Sequence, residues 1–378
     1  MLMNKRNIFL LCTIGFLQGM VFYAPVATLY RQAAGLGIFQ ITLMESVSLA
    51  LSILLEIPWG IAADRIGYRK TMLICCSLFF VSKIVFWQAN GFAGFLMERM
   101  ILAVVCSGLS GVDTAMLYES CGQRDSHRFF GVYEYLQQAG LLLAAAVCSL
   151  WIGTDFRLAG FLTVLSYGMA AALACFLQEE KLSNKRIVTA KQSMTVLKEQ
   201  LQNRKLLLFL ISVALVTETH QTITVFLNQL QYTRAGMTVD MISAAYLLLS
   251  LAGLASMFSA GLSEKMGEKQ LAIALISGSI LCCCMLAITK NAVLSVTAVI
   301  GLRICYAVYQ PLQIEQQNHQ IQTHYRATAL SMNAALVSSI AVFVNLVYGS
   351  VAERSLPCTM LLGAGFCLTA LLFYRRSC

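Results

Sequence analysis

The chain has 378 residues, 58% hydrophobic and only 12% charged, with a mean hydropathy of +0.72. That balance excludes a water-soluble domain of this size and implies an integral membrane protein. The formal charge of +9 would suit a nucleic-acid partner only if it gathered on one face, and its distribution follows membrane topology instead.

A spanning helix needs roughly 20 mostly apolar residues for a hydrocarbon core about 30 Å thick. Twelve such runs are predicted in chain order, over residues 8–30, 38–63, 70–90, 92–118, 129–151, 157–177, 206–230, 238–261, 270–289, 292–317, 327–350 and 357–374. The first run is too long for a signal-peptide core and lacks a small-residue cleavage site after it, so it counts as a span. Of the 27 Lys and Arg, 19 fall in the connections on the side of the termini and five on the other, with Lys83, Arg99 and Arg303 inside helices. This asymmetry predicts both termini in the cytoplasm. The 14 cysteines lie almost wholly within apolar runs, without ligand-type spacing to histidine, and read as small buried residues.

The only long polar connection is 178–205, with seven basic residues. It divides the chain into an N-terminal six-helix bundle, 1–177, and a C-terminal six-helix bundle, 206–378. Asp64-Arg65-Ile66-Gly67-Tyr68-Arg69 is echoed by Glu264-Lys265-Met266-Gly267-Glu268-Lys269 at an offset of 200, each copy between the second and third helix of its half. Recurrence at equivalent positions favours duplication.

Between the second and third spans runs Gly60-Ile-Ala-Ala-Asp64-Arg65-Ile-Gly67-Tyr-Arg69-Lys70. A charged, glycine-bearing hairpin in this place resembles that of major facilitator superfamily transporters, and the resemblance covers nearly the whole chain. It implies an all-α membrane fold of twelve helices in two six-helix bundles, usually monomeric, and a gating role for the loop as a latch. Physically, Gly60 allows close helix approach, Asp64 can face a helix amino end, and Gly67 permits the turn. Arg65, Arg69 and Lys70 are placed to pair with Asp113 and Glu119 near the cytoplasmic end of helix four. Arg326-Ala327-Thr328 opens helix eleven in a family-like way, and Arg99 resembles the arginine of the family's helix-four motif, with Ala103 where that motif prefers glycine. Helix five has no Gly-Pro pair between Val132 and Leu150, so the antiporter motif of drug exporters is missing.

In the family, helices one, four, seven and ten line the cavity. Glu218, twelve residues into helix seven, lies about 18 Å deep, and Arg303 in helix ten about 17 Å deep from the opposite face. A charge at such depth costs on the order of 2.5–3.5 kcal/mol, so it is paired, wetted or functional. Helical spacing sets Arg303, Tyr306 and Gln310 on one face, and Glu218 and Gln221 on another. Glu134 and Gln137 of helix five and Gln18 of helix one extend the polar lining. His220, two residues from Glu218, falls on a different face and reads as a helix contact. Glu45, Glu56 and Lys83 sit nearer the interfaces, where snorkelling or pairing suffices.

No phosphate-binding loop, nucleophile constellation or metal site stands out, so no enzyme, cofactor or metal is expected. The expected function is secondary active transport of a small organic molecule by rocker-switch alternating access in a bacterial cytoplasmic membrane. Protons are the expected coupling ion, with a lean to efflux. Uptake of a small organic anion or metabolite, by symport or uniport, is the alternative. A non-transporting sensor docking through 178–205 is the alternative of another class. The expected partners are the lipid bilayer, the solute and protons, with no nucleic acid.

Overall fold

A computed structural model describes residues 4–109, 112–121, 126–179, 202–320 and 326–377, with no strand among them. Among the described residues, twelve helices are long and apolar enough to cross a membrane. They are α1 (Lys5–Ala33), α2 (Ile38–Ile66), α3 (Tyr68–Gln88), α4 (Phe92–Leu109), α5 (Ser126–Val147), α6 (Phe156–Ala174), α7 (Arg204–Arg234), α8 (Val239–Met266), α9 (Glu268–Ile288), α10 (Ala292–Gln320), α11 (Arg326–Ala352) and α12 (Leu356–Ser377). A further helix, Val112–Cys121, follows α4. Every span expected from hydropathy has its helix, as it must where backbone polar groups meet no water. The greater part of the connection 178–205 lies outside the described residues.

The chain forms two compact units, Met1–Leu36 with Val47–Asn184 and Val239–Leu247, and Gly37–Ser46 with Lys185–Thr238 and Leu248–Cys378. In the first unit α1 packs on α5 and α6, and α3 on α4 and α6. The second repeats the pattern, with α7 on α11 and α12, and α9 on α10 and α12. The offset of 200 seen in one loop runs through both units: α3 and α9 begin at 68 and 268 and end at 88 and 288, while α4 and α10 begin at 92 and 292. α5 and α11 begin at 126 and 326, and α6 and α12 at 156 and 356. Gly67 and Gly267 cap α3 and α9 with φ of +90° and +80°, a region that glycine alone adopts freely.

Where the helices depart from regularity the repeat also holds. α1 is helical over Lys5–Gly19, then leaves the helix and resumes through a 3-10 turn at Ala24–Val26 to Ala27–Ala33. α7 holds a π-turn at Thr222–Leu227 between Arg204–Gln221 and Asn228–Arg234. Interruptions at matching places of two halves are a pointer to a transporter's working region, because they free backbone groups and re-aim side chains.

Candidate functional site

In the second unit the α7 irregularity carries a polar cluster. Glu218 is 5% exposed, and its Oε1 lies 3.3 Å from the Thr222 hydroxyl, one turn on, which also meets Asn345 Oδ1 of α11 at 3.1 Å. Beside it, Tyr348 donates to Thr219 Oγ1 at 2.9 Å. Among the described residues no cation forms an ion pair with Glu218. Arg303 reaches His220 instead, Nη1 to Nε2 at 3.4 Å. The imidazole stacks on Tyr306, ring centroids 3.9 Å apart at 10°, with the Thr224 hydroxyl 3.3 Å from Nε2. On the far side the guanidinium lies against Gly253 in the 3-10 segment of α8, where a Cβ would stand 2.7 Å from Nη2. The π-turn adds one residue to the turn after Gln221, so the polar face is not continued in simple 3.6-residue register.

Of the other cavity residues named from sequence, Gln18 is half-buried and donates to Cys76 Sγ at 3.4 Å, while its carbonyl accepts from Tyr167 at 2.6 Å. Gln137 is half-buried in α5, whereas Glu134, Gln221 and Gln310 are exposed. Arg99 lies against Glu98, Nε to Oε2 at 3.7 Å, and its carbonyl accepts from Ser48 at 3.1 Å.

Glu98 itself escaped the sequence reading. It is fully buried and faces Lys83, Nζ to Oε1 at 3.8 Å, and Lys83 is only 4% exposed. Lys83 therefore pairs inside the bundle and does not snorkel. The missed signal lay in the hairpin: Lys83 stands five residues before the end of α3 and Glu98 six after the start of α4, so both lie at one depth in adjacent antiparallel helices.

In the Gly60–Lys70 loop, Gly67 makes the turn, Arg69 donates to the Cys175 carbonyl at 3.5 Å, and Arg65 and Lys70 are exposed. Asp113 accepts from the Tyr133 hydroxyl at 3.3 Å. Beside this bond Met72, Met116 and Leu117 form part of the unit's apolar core. The surroundings of Gly60 and the side chains of Asp64, Glu119 and Arg326 lie outside the described residues.

No curated protein matches the chain by sequence. Solved structures match over nearly its whole length. A variant of the nucleoside transporter NupG superposes with a TM-score of 0.83 at 16% identity, covering 98% of this chain and 99% of that one. A bacterial homologue of the human lysosomal transporter Spinster, in an occupied inward-facing conformation, gives 0.77 at 15%, covering 98% and 95%. The human organic anion transporter MFSD10 (TETRAN) gives 0.64 at 15%, covering 98% and 99%. At these identities the likeness establishes fold and leaves substrate open. The family model described as Major Facilitator Superfamily matches residues 9–345, so the chain, with its twelve spans and its repeated halves, belongs to that superfamily.

Proposed function

We propose that this transporter moves a small organic molecule by alternating access of two bundles, 1–177 and 206–378, joined by the cytoplasmic connection 178–205, and that a proton gradient drives it. Glu218 carries the proton in this reading. The observation that supports it is a carboxyl buried beside the π-turn of α7, held by a hydroxyl rather than by a cation. Such a group can gain or lose a proton without orphaning a counter-charge. The Gly60–Lys70 loop, with Asp113, Glu119 and Arg326, acts as the gate.

We assign the direction as efflux of amphipathic compounds by proton antiport, following the family resemblance. Arg303 supports uptake of a small organic anion as the second direction, since its guanidinium is held on a stacked His220–Tyr306 pair and has the fork geometry that receives carboxylates. Both termini lie in the cytoplasm of a bacterial cell and the working unit is a monomer.

The test is proton flux in proteoliposomes under an imposed pH gradient, screened with amphipathic cations, sugars and organic acids. Compound-dependent flux is expected from the wild type and none from Glu218→Gln. Full flux in the variant overturns the assignment of Glu218, and accumulation of a compound in expressing cells over an empty-vector control reverses the direction.

A further inference from the structure

We propose that the first unit carries, at the end remote from the N-terminus, a binding site for the phosphate of an anionic phospholipid, independent of which solute is moved. There α1 and α3 end and α6 begins, and between them lies a cavity of about 360 Å³ lined by Tyr30, Ala33, Ala34, Asn90, Phe156 and Arg157. That volume falls at the lower end of the roughly 300–1,000 Å³ of small-molecule sites, enough for a headgroup.

Arg157 supplies the charge. Its Nη1 donates to the Trp87 carbonyl, its Nη2 donates to Asn90 Oδ1, and Tyr30 is its third hydrogen-bonding neighbour. Tyr30 donates to the same Trp87 carbonyl at 3.4 Å and is only 3% exposed. A guanidinium has five N–H groups in a fixed fork, so three such partners hold it in place and leave two for the paired oxygens of a phosphodiester. Asn90 accepts through its oxygen and keeps its amide hydrogens to donate. Asp155, the carboxylate beside this helix start, caps α6 by accepting from Leu158 N at 2.9 Å and stands outside the lining. The cavity therefore complements an anion and offers an ammonium no carboxylate.

Position and surroundings point to a lipid as the source of that anion. Arg157 is the second residue of α6, at the level where headgroups lie. Further into the span, Leu158, Phe161, Leu165 and Met169 share one helix face and are 40, 39, 47 and 53% exposed. They form a stripe about 17 Å long, close to half of a hydrocarbon core about 30 Å thick. Trp87 joins the cavity to this stripe, its ring 5.3 Å from that of Phe161. An apolar stripe is common to lipid-facing helices, and the anchored guanidinium at its head is what selects an anionic lipid.

Neither topology nor packing requires Arg157. The side away from the termini holds only five of the 27 Lys and Arg, so a cation there runs against the charge bias of the chain. At the offset of 200 its place at the start of α12 is taken by Pro357, which a first helical turn accepts.

The experiment is native mass spectrometry of the full chain released from detergent, with phosphatidylglycerol, phosphatidylcholine, glycerol 3-phosphate and inorganic phosphate added in turn. One retained phosphatidylglycerol is expected, and Arg157→Ala is expected to lower its retention about fivefold. Arg354→Ala, which removes an exposed cation of the second unit, should leave retention unchanged. Ala33→Phe fills the cavity with every charge in place and should also lose the lipid. Equal retention of phosphatidylcholine, equal loss in the two arginine variants, or undiminished retention in Ala33→Phe overturns the proposal. Retention of glycerol 3-phosphate or inorganic phosphate as firm as that of the lipid overturns it too, and assigns the cavity to a soluble anion. If Arg157→Ala does not fold, Ala33→Phe decides alone. No arm depends on transport, so the outcome is separate from that of the Glu218 reading.

Discussion

Tyr348 is fully buried and spends its hydroxyl on Thr219, the residue next to Glu218, which the Thr222 hydroxyl meets in the same turn of α7. Tyr348→Phe keeps the ring and removes one bond, so thermal unfolding in detergent is expected to show a loss of about 1 kcal/mol. A larger loss, with altered proton flux, would mean that Thr219 and Glu218 belong to one coupled network. At this scale the sequence reveals some residues and hides others for a definite reason. Depth along a helix follows from counting, which is why Glu218 and Arg303 stand out as deep charges. Rotation about the helix is less legible, because the π-turn at Thr222–Leu227 breaks the 100° step, and counting alone does not bring Arg303 to His220. Glu98 was hidden by its neighbour: Arg99 drew the family resemblance, while Lys83, its partner across the hairpin, was open to snorkelling or pairing with no partner named.

Helix pairs in a bilayer gain no hydrophobic force from one another and depend on close contact through small residues. α1 and α5 show the limit of this. A Cβ at Gly19 would stand 2.1 Å from the Gln137 carbonyl oxygen, and one at Gly140 would stand 2.2 Å from that of Phe16. Backbone cannot swing aside as a side-chain tip does, so the helices must part. Gly140→Ala is expected to lower stability by roughly 1–3 kcal/mol, whereas Gly365→Ala in α12, with nothing within 4 Å, should be neutral or gain up to about 1 kcal/mol from helix propensity. Thermal melts of both variants in one detergent check the pair, and equal shifts would refute close packing as the cause. Elements were the most legible part of the chain, since twelve apolar runs in a membrane have one secondary structure open to them. The break in α1 was not legible: Met20 to Tyr23 is as apolar as its surroundings, and Pro25 alone hints that the helix restarts there.

On the scale of the whole molecule, an even number of spans sets both termini on one side, and the loop charges set which side. The repeat then gives each half an internal control for the other. Gly67 and Gly267 occupy equivalent turns with φ, ψ of 90°, 153° and 80°, 141°, a region essentially closed to residues with a Cβ. Alanine at either is expected to cost roughly 1–3 kcal/mol of stability. The two sites differ in surroundings: a Cβ at Gly67 would meet Glu179 Oε1 at 2.5 Å, while Gly267 has nothing within 4 Å. The Glu179 carboxylate is the far end of a flexible chain and can turn away, so the two melting shifts should stay close. Transport should not. If the first loop is the gate, Gly67→Ala slows solute flux well beyond Gly267→Ala at matched stability, because the alanine disturbs the turn between Asp64 and Arg69. Equal loss of flux in the two variants would refute a gating role particular to the first loop, and would assign both turns to the support of the fold.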